Sequence, residues 1–244
     1  MAQTLGGRIL AIDVARTVAI LMMVTFHFTY DLEMFGFIPG GTTTHGFWAL
    51  FARTTAGSFL FLVGFSLYLA HRQGIRWRSF GRRLAKVAGA AVLVSAGTFL
   101  VMPNAFVYFG ILHSISVASL LGLAFLRLPA VVTLLLGVAV IALPNYVSFP
   151  TLNSPFFYWI GLSTWWPPSI DYEPVFPWFG PALFGIGVAK ALTALLPNAL
   201  APSEAAGQRV LARTIAFPGR HSLVIYLAHQ PILISLIWAY HMLS

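Results

Sequence analysis

The sequence contains no cysteine and very little charge. Without cysteine there is no disulfide, no thiolate metal site and no cysteine nucleophile. Asp, Glu, Lys and Arg together make up 8% of the 244 residues, against 59% hydrophobic residues. A soluble domain of this size carries roughly a quarter charged residues, so the charge present cannot cover a water-facing surface. Mean hydropathy is +0.84, and the apolar content is spread along the whole chain. Lipid is therefore the expected solvent for most of it. No internal repeat or low-complexity tract is visible, and Ala199–Gln208 is a polar, alanine-rich loop with no evident chemistry.

What is present is a series of long apolar runs. The bilayer core needs about 20 mostly apolar residues per helix. The candidate spans are Leu10–Tyr30, Gly46–Ala70, Leu84–Met102, Val107–Leu126, Ala130–Ser148, Val175–Leu196 and His221–Tyr240. The run after Arg8 exceeds a signal-peptide core and lacks a small-residue cleavage site, so it reads as a retained first helix. Phe156–Trp166 is aromatic but short and ends at Pro167-Pro168, which suits an interfacial or re-entrant segment. The outer loops are rich in aromatics (among them Trp165, Trp166 and Trp178), consistent with an interfacial belt.

The net charge of +8 would suggest nucleic acid in a soluble protein. Here it reads as topology, with no nucleic-acid partner. Arg72, Arg76, Arg78, Arg82 and Arg83 cluster in His71–Arg83, with Lys86 just beyond. Arg127 follows the fourth span, and Arg209, Arg213 and Arg220 precede the last. The intervening loops hold Asp31, Glu33, Asp171 and Glu173 but no Lys or Arg. Basic loops face the cytoplasm. The expected fold is a polytopic all-α transmembrane bundle of about seven spans, forming a single domain over residues 1–244. Its N-terminus is cytoplasmic and its C-terminus outside, in a bacterial-type inner (plasma) membrane.

Ionisable groups within a span cost several kcal/mol unless they face the bundle interior. The first span carries Asp13, Arg16 and His27. Arg16 and His27 stand 11 residues apart, which rotates them by only about 20° around a helix. Asp13 lies three residues before Arg16 and Asp31 four after His27, so the four form one polar stripe. The structural alternative, an Asp13–Arg16 pair with the arginine snorkelling, leaves His27 unexplained. Helical rise brings Arg53 about two turns down the second span and His113 about 9 Å down the fourth, so both are expected near His27. His229 and Gln230 lie in the last span before Pro231. For His229 the alternative is a hydrogen bond across that kink, and for Arg53 an internal pairing with Asp31.

A histidine acts as a general base near neutral pH, and a neighbouring carboxylate such as Asp31 orients it. Buried arginine binds phosphate or stabilises an oxyanion. These parts suit acyl transfer from cytoplasmic acyl-CoA to an acceptor hydroxyl or amine reached from outside.

Ile12-Asp13-Val14-Ala15-Arg16, followed by ten residues and His27, resembles the Arg-x10-His signature of the membrane acyltransferase-3 family and of the wider transmembrane acyltransferase superfamily. More specifically, several blocks resemble the bacterial branch of the heparan-alpha-glucosaminide N-acetyltransferase family. They are His27–Leu32, Phe59–Gly64, Tyr108–His113, Phe176–Gly180, Gly219–Leu223 and Tyr226–Pro231. The resemblance runs in order along nearly the whole chain. It implies acetyl transfer across a membrane, with acetyl-CoA entering from the cytoplasm and a sugar as acceptor. By that pattern His27 is the first candidate for the base, with Arg16 as its helix partner. Eukaryotic members use a histidine in the loop before the second span, which makes His45 the second candidate beside the alternative of a solvated loop residue. Larger members have ten or eleven spans, so accessory helices or a luminal domain are missing here and the acceptor is open.

The resulting expectation is a membrane acyltransferase with His27, Asp31, Arg16 and His113 as catalytic residues. Asp13, Arg53, His45, His229 and Gln230 would contact substrate, and Arg82 and Arg83 would attract the CoA phosphates. No metal is expected, and a homo-oligomer is compatible. A proton-coupled small-solute transporter would use the same Asp-Arg-His stripe, but the inverted repeats that favour one are not visible. A retinal-type receptor would need a Schiff-base lysine in the last span, which has none.

Overall fold

The structure, a computed structural model, describes residues 9–196 and 210–243. The Ala199–Gln208 loop, Arg8 and Arg209 lie outside the described residues. Among the described residues the chain is helical and forms no named strand. Its helices are α1 (Leu10–Met34), α2 (Gly46–His71), α3 (Trp77–Val101), α4 (Ile111–Phe125), α5 (Ala130–Ala142), α6 (Val175–Leu195), α7 (Val210–Arg220) and α8 (Ser222–Leu243). Five of them, α1, α2, α3, α6 and α8, are long and apolar enough to cross a membrane.

The predicted spans differ from these helices in three places; the fifth, expected over Ala130–Ser148, is a helix of 13 residues that gives way to a 3₁₀ turn at Leu143–Asn145. The fourth was expected from Val107, yet α4 begins only at Ile111 and has 15 residues. That is about 22 Å of helix by rise, short of the ~30 Å bilayer core. The preceding residues are claimed by another partner. Phe109 pairs with Tyr172 as an isolated parallel bridge, Glu173 N–H donates to Phe109 O at 2.9 Å, and the Asp171 carboxylate accepts Ile111 N–H at 3.0 Å. His113 therefore stands in the first turn of α4 and not 9 Å along a longer helix. The third span extends the other way. α3 starts at Trp77, so Arg78, Arg82 and Arg83 ride on its first turns instead of a loop. Arg82 Nε donates to Arg78 O at 3.3 Å.

The aromatic segment before α6 is built of short 3₁₀ turns at Pro150–Asn153 and Pro155–Phe157. Tyr108 donates its hydroxyl to Pro155 O, and Tyr172 donates to Tyr158 O at 2.6 Å. Burial pushes the Tyr172 hydroxyl up to about 12, as expected where ionisation would place a charge away from water.

The residues group into two compact units. The first is Met1–Phe59 with Leu196–Ser244, the second Leu60–Leu195. In the first, α1 lies against α7 and α8. Thr17 Oγ1 donates to Ile215 O at 2.7 Å and accepts Gly219 N–H at 2.9 Å. A side chain at Gly219 would collide with the Asp13 carbonyl, so glycine permits the close backbone approach that small residues give membrane helices. In the second unit α2 meets α6 in the same way. A methyl group on Gly64 would strike Ala182 O, and one on Gly185 would strike Phe61 O. The outward side chains of α3, such as Val92, Leu93, Leu100 and Val101, are exposed and apolar, a surface suited to lipid.

The second unit also holds Lys190, which the reading of the sequence passed over. It is buried, and Nζ donates to Phe125 O at 2.5 Å, Leu128 O at 2.6 Å and Thr133 Oγ1 at 3.0 Å. Three donors meet three acceptors, so the ammonium ties the carbonyls at and just after the end of α4 to Thr133 of α5. A lone lysine inside an apolar span was the available signal.

Candidate functional site

The polar stripe predicted on α1 exists, and its two ends are used differently. At the N-terminal end Asp13 is buried. Arg16 Nη1 contacts Asp13 Oδ1 at 3.2 Å and Arg220 Nε contacts Asp13 Oδ2 at 3.1 Å. Arg220, from the end of α7, was not foreseen as a site residue, although it lies in one of the blocks that carry the family resemblance. The Asp13 carboxylate thus bridges two guanidiniums, one from α1 and one from α7.

At the other end α1 and α8 bring four side chains together. The Asp31 side chain is fully buried, and Oδ1 accepts Gln230 Nε2–H at 3.0 Å. The rings of His27 and His229 meet edge to face, with centroids 4.9 Å apart. His229 Nδ1 lies 2.6 Å from Tyr226 O. A carbonyl can only accept, so Nδ1 carries the proton and Nε2 keeps the lone pair. Four buried atoms of this cluster have no hydrogen-bond partner among the described residues: His27 Nδ1, Asp31 Oδ2, His229 Nε2 and Gln230 Oε1. Buried polar atoms are normally satisfied. Three of these four, the carboxylate oxygen, the amide oxygen and the bare imidazole nitrogen, can only accept. The cluster is chemically ready for a ligand rich in N–H and O–H donors.

This geometry changes two expectations. Asp31 was expected to orient His27, but its hydrogen bond goes to Gln230, because Gln230 on α8 faces it and presents an amide donor. Arg53, expected near His27 or as the partner of Asp31, is exposed on α2. The structure does unite His27, Asp31, His229 and Gln230 in one place.

His113, expected beside His27, belongs to the second unit. Its Nδ1 accepts Gly110 N–H at 3.3 Å, which leaves the proton on Nε2, 3.4 Å from Ser95 Oγ. Ser95 in turn donates to Val107 O at 2.6 Å. Both ring nitrogens thus hold the start of α4 in place.

His45 ends the loop between α1 and α2 and is exposed. Its Nδ1 lies 3.0 Å from Gly41 O and 2.9 Å from Thr44 Oγ1. The carbonyl again assigns the proton to Nδ1, so the basic Nε2 points away from this anchor.

In the second unit a small cleft of about 60 Å³ is lined by residues that include Leu67, His71, Phe80, Arg83, Ser116 and Ser119. Arg83 was expected to attract phosphate. His71 Nδ1 accepts Arg76 N–H at 3.2 Å, which leaves its Nε2 protonated. His71, like Lys190, escaped the sequence reading because a histidine at a helix end carries no pattern of its own.

A family model described as heparan-alpha-glucosaminide N-acetyltransferase, catalytic, matches residues 8–231. The match reaches from before Asp13 to just past Gln230, so both arms of the buried cluster lie within it. No curated protein and no solved structure matches the chain. The chain belongs to the heparan-alpha-glucosaminide N-acetyltransferase family, and its long apolar helices make it a membrane member of that acetyltransferase family.

Proposed function

We propose that the chain moves an acetyl group from acetyl-CoA, approaching from the cytoplasm, to an amine or hydroxyl of a sugar-like acceptor on the other side of a bacterial-type inner membrane. The topology behind this is the seven-span, N-terminus-inside arrangement in one domain that the basic loops favour. The observation that carries the reading is the buried cluster of acceptor-only atoms at Asp31, His229 and Gln230. An anionic or carbonyl-rich ligand has nothing to donate to them, whereas an amine and its neighbouring hydroxyls do. The cluster therefore suits the acyl acceptor, with His27 as its aromatic wall.

The base is read from the tautomers. Among the described residues His27 Nδ1 has no hydrogen-bond partner, whereas His45 has Nδ1–H held by Gly41 O and its Nε2 in the loop from which an external acceptor arrives. The family's use of a histidine before the second span supports the same assignment, so His45 replaces His27 as first candidate. His45 Nε2 takes the proton from the acceptor N–H or O–H. The nucleophile adds to the thioester carbonyl, the C–S bond breaks, and coenzyme A leaves as the thiolate and is protonated. Arg53 is the cation assigned to the developing oxyanion. Arg16 and Arg220, balanced in part by Asp13, line the donor's approach. Arg82 and Arg83 attract its phosphates.

The test uses the full chain purified in detergent and reconstituted in liposomes. Calorimetry with acetyl-CoA is paired with transfer of labelled acetyl to a panel of amino sugars and polyols. Binding of acetyl-CoA and labelling of an amine- or hydroxyl-bearing acceptor are expected. A protein that binds no acetyl-CoA and labels none of them would end the proposal.

A further inference from the structure

The loop that presents His45 is held by a single carboxylate. α1 ends in a six-to-one and five-to-two pair of backbone bonds: Phe37 N–H donates to Leu32 O at 2.9 Å and Gly36 N–H to Glu33 O at 3.0 Å. Gly36 stands at φ +79°, where a side chain would be strained, and turns the chain out of the helix. The chain then comes back onto the helix it has left. Glu33 Oε1 accepts Gly41 N–H at 2.6 Å. Oε2 accepts Thr43 N–H at 2.7 Å and Thr43 Oγ1–H at 2.6 Å. Thr43 is buried by this arrangement.

Gly41 is the hinge of the device. Its N–H is fixed by Glu33, and its carbonyl holds His45 Nδ1. It sits at φ +85°, so the loop is built around a residue only glycine fills without strain. A carboxylate in the last turn of a helix opposes the helix dipole. Glu33 is therefore badly placed for helix stability and well placed for the loop.

We infer that Glu33 is a positioning residue that acts through Gly41 to set the tautomer and direction of the His45 imidazole. The inference rests on the acetyl-transfer reading above. Glu33 itself contacts no reacting atom. Misplacing a catalytic group by about 1 Å costs on the order of 100-fold, and that is the size of effect such a clamp controls.

The experiment compares wild type, Glu33→Gln, His45→Ala and the double variant in liposomes, with selective ¹⁵N-histidine NMR on wild type and Glu33→Gln in detergent. Glu33→Gln is expected to lower kcat by roughly 10- to 100-fold with KM for acetyl-CoA unchanged, and to add no further loss when His45 is already alanine. In the spectra, His45 is expected as the Nδ1–H tautomer in wild type and as a mixture in Glu33→Gln. Equal losses in both backgrounds, or a His45 signal identical in the two proteins, would overturn the inference. Full activity in His45→Ala would remove the base and its clamp while acetyl transfer stood. No transfer in wild type would defeat the broader reading instead, and the NMR comparison would still decide whether Glu33 sets the tautomer.

Discussion

Two sets of buried polar groups, one in each unit, are treated in opposite ways. In the second, Lys190 spends its three donors on three acceptors, and His113 uses both ring nitrogens at the start of α4. In the first, His27, Asp31, His229 and Gln230 each keep a buried atom without a hydrogen-bond partner. A satisfied buried polar group adds order, and an unsatisfied one costs free energy that a fold tolerates where the atom has another use. The contrast separates scaffold from site without reference to any ligand.

Four substitutions bear on that contrast. The largest effect is expected at His45. His45→Ala should lower kcat by on the order of 1,000-fold while calorimetry still shows acetyl-CoA binding, and an unchanged kcat would return the base to the buried cluster. Lys190→Met comes next. It removes three hydrogen bonds and leaves the Leu128 carbonyl without its lysine donor, while Phe125 O keeps Leu128 N–H and Thr133 keeps Pro129 O; it should cost about 2 kcal/mol, seen as a lower thermal midpoint and a poorer yield of monodisperse protein. If the midpoint held, the second unit would not depend on that ammonium. His229→Ala gives up the buried ring and its Nδ1 contact with Tyr226 O, so some stability is lost, but its larger effect should be on KM for the acceptor, raised roughly 10-fold or more, since removing one good hydrogen bond to a substrate costs ~1.5 kcal/mol. A fall in stability with no change in that KM would place His229 with the scaffold. The smallest effect is at His113→Asn, where loss of a helix-start bond should cost about 1 kcal/mol and leave both KM values unchanged. A large drop in kcat there would restore His113 to the chemistry.

The helical, lipid-embedded character of the chain was legible from composition, since so few charges admit no other solvent. The polar stripe on α1 was legible too, because helical spacing alone aligns Asp13, Arg16, His27 and Asp31. Family membership was carried by short blocks in the right order. Hydropathy overran the start of α4, because Val107 to Gly110 are apolar enough for a span but bond instead to the loop at Asp171 and Tyr172. It began α3 late, because arginines at a helix start look like a loop. Glu33 counted only as an outer-loop acid and Lys190 not at all, for a shared reason: their partners, at Gly41 and Thr43 for one and at Phe125, Leu128 and Thr133 for the other, are mostly backbone groups and short hydroxyls that leave no mark in a residue pattern.

By itself the sequence determined the solvent of this protein, its helical class, the face of α1 that carries charge and the family to which it belongs. The first three follow from composition and from the 3.6-residue period and the last from short motif blocks in order, all of them local properties of the chain. Only the tertiary structure decided which of those charges are satisfied. Whether Asp31 meets His27 or Gln230, and which nitrogen of His45 or His229 keeps its lone pair, depends on groups brought close by packing and by the return of a loop. Hydrogen bonds reach only about 3 Å, so partner choice follows from where the folded chain places its atoms.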